Sequence, residues 1–202
     1  MSSQKGFTLW FTGLSGSGKT TLAKALEPVL RERGLKVERL DGDIVRQSLT
    51  RDLGFSKEDR DQNIERVTFV AKLLTRNDVA VLCSFISPYV ARRDKSRAEI
   101  GRFVECYIEC SLDTLIERDI KGLYKKALAG EIENFTGVSD PYEPPPNPEI
   151  AVNSGTQTVE ESLAIILKRL EELGYLSPDG GSTYADDEET EVEDRLRALG
   201  YI

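Results

Sequence analysis

The sequence predicts an α/β domain of three layers, a five-stranded parallel sheet with helices on both faces. Three observations carry this. Strand-like apolar runs alternate with helical stripes, the connections are short, and a glycine-rich turn joins the first strand directly to the first helix. Residues 7–12 read FTLWFT, an apolar run as long as a buried strand. Leu22, Leu26, Val29 and Leu30 recur at helical spacing across residues 19–33, and Gly34 ends that helix. Pro28 falls well inside it, so a kink or a lost backbone hydrogen bond is expected there. Residues 36–40 form a second short strand. Ser56 then signals the start of a helix that runs to Asn77, with Val67, Val70, Ala71 and Leu74 on one face.

Residues 79–85 (VAVLCSF) and 104–110 (VECYIEC) are further strands, the first apolar enough for the middle of a sheet. A short helix fits residues 112–119, and residues 149–152 supply a fifth strand. Val159, Leu163, Ile166, Leu167, Leu170 and Leu173 stripe a last helix that Gly174 closes. Residues 121–146 show no clear periodicity and are rich in Gly, Pro and charge. A segment of that length in a compact domain is expected to be a lid or binding loop.

The 202 residues divide into a folded domain over 1–176 and an acidic tail over 177–202. The net charge is −8, and the tail concentrates it, with eight acidic residues against Arg195 and Arg197. The tail is expected to be flexible, with a short terminal helix. Its end (DRLRALGYI) echoes the end of the last core helix (KRLEELGYL) and is read as a weak helix on the surface. An acidic chain is a poor partner for nucleic acid or anionic lipid. There is no histidine, which excludes His-activated nucleophiles and His-ligated zinc. Cys83, Cys106 and Cys110 lie in apolar runs without a Cys-x-x-Cys pair, as buried thiols of a reducing compartment would. No run is apolar enough to span a membrane, so the domain is expected to be cytoplasmic.

Residues 13–20, GLSGSGKT, match G-x-x-x-x-G-K-[ST] between a strand and a helix. In such a phosphate-binding loop, Gly13, Leu14, Ser15, Gly16, Ser17 and Gly18 present backbone N–H groups to an anion, and Thr21 follows in the first helical turn. Lys19 reaches the outer phosphates, the Thr20 hydroxyl can ligate Mg²⁺, and the helix dipole points its positive end at the same place. The fold is therefore expected to be of the P-loop nucleoside-triphosphate-hydrolase type. No N-K-x-D motif reads guanine, and no carboxylate follows the strand at 79–85, as it would in motor or transporter ATPases. The carboxylates come instead after the second strand, as Asp41-Gly-Asp43. There an acid can hold Mg²⁺ or accept a hydroxyl proton, while the plainer reading is a tight turn in which Asp43 caps a helix over residues 44–49.

Four stretches together resemble the adenylyl-sulfate kinase (APS kinase) family: KGFTLWFTGLSGSGKTTLAKAL, LDGDIVRQSLTRDLGFSKEDRDQNIERV, SFISPY and ERDIKGLYKKALAGEIENFTGVSDPYEPP. The KGLYKKA and NFTG runs are the most specific. The resemblance implies phosphoryl transfer from MgATP to the 3′-hydroxyl of adenosine 5′-phosphosulfate. It casts Phe55 and Phe135 as the two faces of an adenine sandwich, and Arg46, Arg60 and Lys121 as cations around the phosphosulfate. Asn63 shares the helix face of Arg60, and the backbone at Ile86 and Ser87 completes that pocket. Arg118 would stack on the adenine of ATP. Asp41 and Asp43 divide the metal, base and ribose roles in an order that the sequence leaves open, with Asp41 favoured for the metal and base side. Ser87 matches a serine described in part of the family as a phosphorylated intermediate, but no residue to activate it is evident nearby. The resemblance also implies a homodimer, coupled in function to ATP sulfurylase. Val90, Ile120 and Leu128 depart from the family's usual Arg, Pro and Arg, and Arg92 or Arg93 is a candidate to replace the cation lost at position 90.

Overall fold

The computed structural model describes residues 5–177, so the acidic tail and the second copy of the helix-end motif lie outside the described residues. In chain order the elements are β1 (Phe7–Thr12), α1 (Lys19–Glu32), β2 (Lys36–Asp41), α2 (Gly42–Val45), α3 (Lys57–Thr75) and β3 (Val79–Ser84). They continue with α4 (Val90–Ile100), β4 (Phe103–Glu109), α5 (Leu112–Arg118), α6 (Leu123–Leu128), β5 (Ile150–Asn153) and α7 (Val159–Glu172). The sheet runs β2-β3-β1-β4-β5 with every neighbouring pair parallel. The carboxyl ends of β1, β2 and β3 therefore open on the same edge, where open α/β sheets hold their ligands.

Alternation along each strand divides the core into two layers. Phe7, Leu9 and Phe11 of β1, Val37 of β2, and Ala80 and Leu82 of β3 pack with Leu22, Leu26 and Leu30 of α1 and Ile166 and Leu170 of α7. On the other face Trp10, Val81, Cys83 and Phe103 meet Ile64, Val67 and Ala71 of α3. Pro28 is accommodated inside α1 because it lies on the exposed side, where water can satisfy the Lys24 carbonyl that loses its N–H partner. The three cysteines are buried, free thiols. Among the described residues no helix is long and apolar enough to cross a membrane.

The structure corrects the sequence reading in three places. Helix α4 was not expected, because its buried residues are Arg93 and Ser96 and no apolar stripe marks it. Ser96 instead shares a hydrogen bond with Thr68 of α3. The segment over 121–146 contains α6, whose first N–H groups are held by Asp119: its two carboxylate oxygens accept from Tyr124 N and Lys125 N. The helix after β2 is a single turn, and its N-cap is Asp41 rather than Asp43.

Candidate active site

The loop between β1 and α1 is shaped by close backbone approach. Gly13 has φ near 150°, and a Cβ there would stand 2.5 Å from the Ile108 carbonyl oxygen, so no larger residue fits. Lys19 is buried and folds back over the loop. Its Nζ donates to the Gly13 and Leu14 carbonyls at 2.8 and 2.7 Å and to Ser17 Oγ at 3.4 Å. Burial pushes its pKa down to about 7, the nearby Lys121 adds to that, and Asp41 and Asp43 oppose it. An anion in the loop would reverse the balance. Tyr124 of α6 fixes the same loop from outside, donating its hydroxyl hydrogen to the Ser15 carbonyl at 2.8 Å.

Beside Lys19 stand the two carboxylates. Thr20 Oγ1 donates to Asp41 Oδ2 at 2.6 Å, while Asp41 Oδ1 accepts Asp43 N at 3.0 Å and so caps α2. Both oxygens of Asp41 are thus engaged. Asp43 is the opposite case, with a side chain 74% exposed that pairs through one oxygen with Lys121 Nζ at 2.7 Å. These five residues, Lys19, Thr20, Asp41, Asp43 and Lys121, form one cluster at the ends of β1 and β2. Thr21 is exposed on the first turn of α1. Arg118, at the end of α5, donates to the Ser154 carbonyl at 3.0 Å. That carbonyl belongs to the turn after β5, and Ser154 Cβ would lie 4.0 Å from a Cβ on Gly18.

Across the cleft the acceptor-side candidates come from the connection between α2 and α3, from α3 itself and from the segment over 121–146. Arg46 lies 4.3 Å from the Phe55 ring centroid and donates to the Leu53 and Gly54 carbonyls. Phe55 is 61% exposed, with Arg46 over its ring, an unusual degree of exposure for a large apolar side chain. Phe135 is partly buried against Tyr124, edge to face at 5.1 Å. Arg60 ties the two aromatic segments together: it donates to the Phe55 carbonyl at 3.0 Å, to the Asn134 carbonyl and to Thr136 Oγ1, and it pairs with Asp140 at 3.2 Å. Asn63, three residues further along α3, is 5% exposed, and its Oδ1 has no partner. A buried acceptor of that kind costs free energy until a donor arrives. Gly137 packs its backbone on Leu14 of the phosphate loop, and a Cβ there would meet Leu14 Cδ2 at 2.7 Å.

Ser87 is buried with φ near 45°. Its Oγ accepts from Trp10 Nε1 at 3.0 Å, and its carbonyl accepts from Arg93 Nη1 at 2.5 Å. Thr12 Oγ1 holds the Ile86 carbonyl at 2.7 Å. Arg93 does not stand in for a cation at position 90. It is 1% exposed, paired with Glu105 at 2.6 Å, and bound to the Glu143 carbonyl. Arg92 leans toward Glu65 at 3.8 Å. Val90 itself donates its N–H to Glu143 Oε2, and Ile120 and Leu128 are exposed. Sequence reasoning missed Tyr124, Trp10 and the Arg93–Glu105 pair. Of these only Tyr124 carried a signal, as the aromatic inside KGLYKKA.

Residues 5–153 match the family model described as adenylylsulphate kinase. The chain is 68% identical over 164 residues to a probable adenylyl-sulfate kinase from Pseudomonas aeruginosa, covering 81% of this chain and 77% of that one. It is 60% identical over 177 residues to an adenylyl-sulfate kinase from Halothermothrix orenii, covering 88% and 96%. The solved structure of the Mycobacterium tuberculosis APS kinase in complex with AMPPNP and APS shares 42% identity and a TM-score of 0.78, over 83% of this chain and 98% of that one. With a P-loop fold, an intact phosphate loop and this extent of identity, the chain belongs to the adenylyl-sulfate kinase family.

Proposed function

We propose that this chain transfers the γ-phosphoryl group of ATP to the 3′-hydroxyl of adenosine 5′-phosphosulfate, giving 3′-phosphoadenosine 5′-phosphosulfate and ADP. The observation that carries the reading is the convergence of Lys19, Thr20, Asp41, Asp43 and Lys121 in one cluster, facing the Phe55, Arg60, Asn63 and Phe135 wall. Lys19 exchanges its loop carbonyls for the outer phosphate oxygens, and the N–H groups of 13–20 cradle the rest. Arg118 lies where the ATP adenine would leave the loop.

Thr20 and Asp41 suit Mg²⁺, because a hydroxyl and a carboxylate in contact are hard oxygen donors and leave the remaining positions to phosphates and water. When bound, Mg²⁺ neutralises charge on the β- and γ-phosphates. The division of labour between the carboxylates follows from their partners. Asp41 is committed to Thr20 and to the cap, so Asp43 receives the 3′-hydroxyl proton as that oxygen attacks phosphorus and the bond to the ADP oxygen breaks. Lys121 and Arg46 face the anionic phosphosulfate, and Arg60 holds the lid as well as the acceptor side. Phe55 and Phe135 stack on the acceptor adenine, and Asn63 Oδ1 takes a hydrogen bond from it. The backbone at Ile86 and Ser87 closes the pocket. Direct transfer needs no phosphoserine, and the engagement of Ser87 Oγ by Trp10 supports that reading.

The same reading takes the chain as a cytoplasmic homodimer fed by an ATP sulfurylase, the class of reaction that makes an adenylyl sulfate. An acceptor screen tests the function: purified protein with MgATP, an ADP readout, and adenosine 5′-phosphosulfate beside AMP, gluconate, shikimate and uridine. ADP release is expected only with adenosine 5′-phosphosulfate, with 3′-phosphoadenosine 5′-phosphosulfate identified by mass. Turnover on another acceptor, or none, overturns the reading.

A further inference from the structure

Ser84 ends β3 and has no role in the reading above. Its neighbours place it. In the parallel register Ser84 pairs with Phe11 on one side and Asp41 on the other. Ala80 and Leu82, four and two residues earlier on β3, belong to the layer covered by α1, as do Phe11 and Val37. Strand alternation puts Ser84 on that same face, between Phe11 and Asp41 and under the first turn of α1. Asp41 is independently fixed on this face by its bond from Thr20 Oγ1. The Ser84 side chain is therefore one strand spacing from Asp41, on the side where Thr20 stands.

The hydroxyl is not accounted for by the protein. Ser84 is 5% exposed, and its Oγ has no hydrogen-bond partner. A buried serine without a partner is worse than alanine at the same place unless something else meets it. The end of β3 is also where many phosphate-loop ATPases carry an acidic residue, and this chain has none there. A hydroxyl can do part of the work of that acid. It cannot neutralise a cation, but it can accept a hydrogen from a water that the cation polarises.

We propose that Ser84 is a positioning residue of the divalent-cation site, its Oγ accepting a hydrogen bond from a metal-bound water beside Thr20 and Asp41. The inference rests on the metal-binding part of the proposed function. It assigns the buried hydroxyl to the water shell, and leaves Thr20 and Asp41 as the protein groups next to the ion. Outer-shell partners of this sort fix a ligand's orientation and raise affinity without touching the metal.

The test compares affinity for the ATP analogue AMPPNP with Mn²⁺ and in EDTA, by calorimetry, for the wild type, Ser84→Ala and Ser84→Thr. The ratio of the two affinities reads the metal alone. In Ser84→Ala the ratio is expected to fall about 5- to 10-fold, with the EDTA affinity unchanged. Ser84→Thr keeps the hydroxyl and is expected to stay within about 2-fold of wild type. Thermal melting confirms that each variant folds. A Ser84→Ala ratio equal to wild type overturns the inference alone, and so does an equal loss in both variants, which would report packing. A wild-type ratio near one overturns the metal assignment itself along with it.

Discussion

The two sides of the cleft are held together by different means. On the nucleotide side most contacts that shape the loop are short in sequence or set in the sheet: Lys19 binds residues two to six positions away, and Thr20 meets Asp41, with Tyr124 bracing the loop from outside. The strand beneath is wholly buried. On the acceptor side Phe55 is exposed, and the segment over 121–146 is tied down by a few polar contacts between residues far apart in sequence. Arg60 reaches residues 134, 136 and 140, and Lys121 reaches Asp43. The side chains proposed to meet the acceptor's anionic group also hold the segment over 121–146 in place. A substrate that competes for Arg60 and Lys121 can therefore move the lid, while the phosphate loop stays fixed by its backbone.

The sharpest way to break this contrast is to remove chemistry from the fixed side. Lys19→Met is expected to lower kcat about 100- to 1000-fold, the cost of losing one preorganised charge at the transferring group. The substitution also removes three hydrogen bonds within the loop, so stability is measured beside the rate. Steady-state rates with thermal melting check both halves, and a variant that retains turnover removes Lys19 from the mechanism. Asp43→Asn comes next, with kcat down about 100-fold and MgATP affinity kept, as a general base that does not hold the metal requires. An equal loss of nucleotide affinity would return Asp43 to the metal.

On the acceptor side Arg60→Ala should separate binding from chemistry. The variant frees the lid and takes a cation from the acceptor pocket, so KM for adenosine 5′-phosphosulfate is expected to rise about 10-fold or more. KM for MgATP stays within about 2-fold, since no contact of Arg60 touches the loop. Limited proteolysis should cut faster within 121–146. A uniform rise in both KM values would mean that the two sides are one rigid unit.

The same contrast decides how much could be read from the sequence. The phosphate loop, Asp41 and Asp43 are local patterns, and β1 and β3 announce themselves because their apolar runs are buried on both faces. The resemblance supplied Phe55, Arg60, Asn63 and Phe135, which composition and periodicity alone would have left among ordinary core and surface residues. What stayed hidden is polar burial between distant segments. Helix α4 turns Arg93 and Ser96 inward, toward Glu105 on the next strand and Thr68 on α3, and a pattern search for apolar stripes passes over it. The bond from Tyr124 to Ser15 joins residues 109 positions apart. Asp41 and Asp43 separate only when their partners are seen, one with both oxygens engaged and the other open to solvent.

The smallest expected effect concerns Ser87, which sits where the two sides meet. Its left-handed backbone is held by Arg93 through the carbonyl, and its hydroxyl serves as the acceptor for the Trp10 indole N–H. A nucleophilic serine needs a base within reach of its proton, whereas the partner of this hydroxyl, the Trp10 indole N–H, is a donor. Ser87→Ala is therefore expected to keep kcat within about 3-fold, because only a structural bond is lost. It should cost about 1 kcal/mol of stability, as the buried indole N–H goes unpaired. Rapid-quench experiments with labelled ATP should show no phosphate on the wild-type protein. A loss of turnover that exceeds the loss of stability, together with label on Ser87, would replace direct transfer with a two-step reaction and move the chemistry from the fixed edge of β2 to the exit of β3.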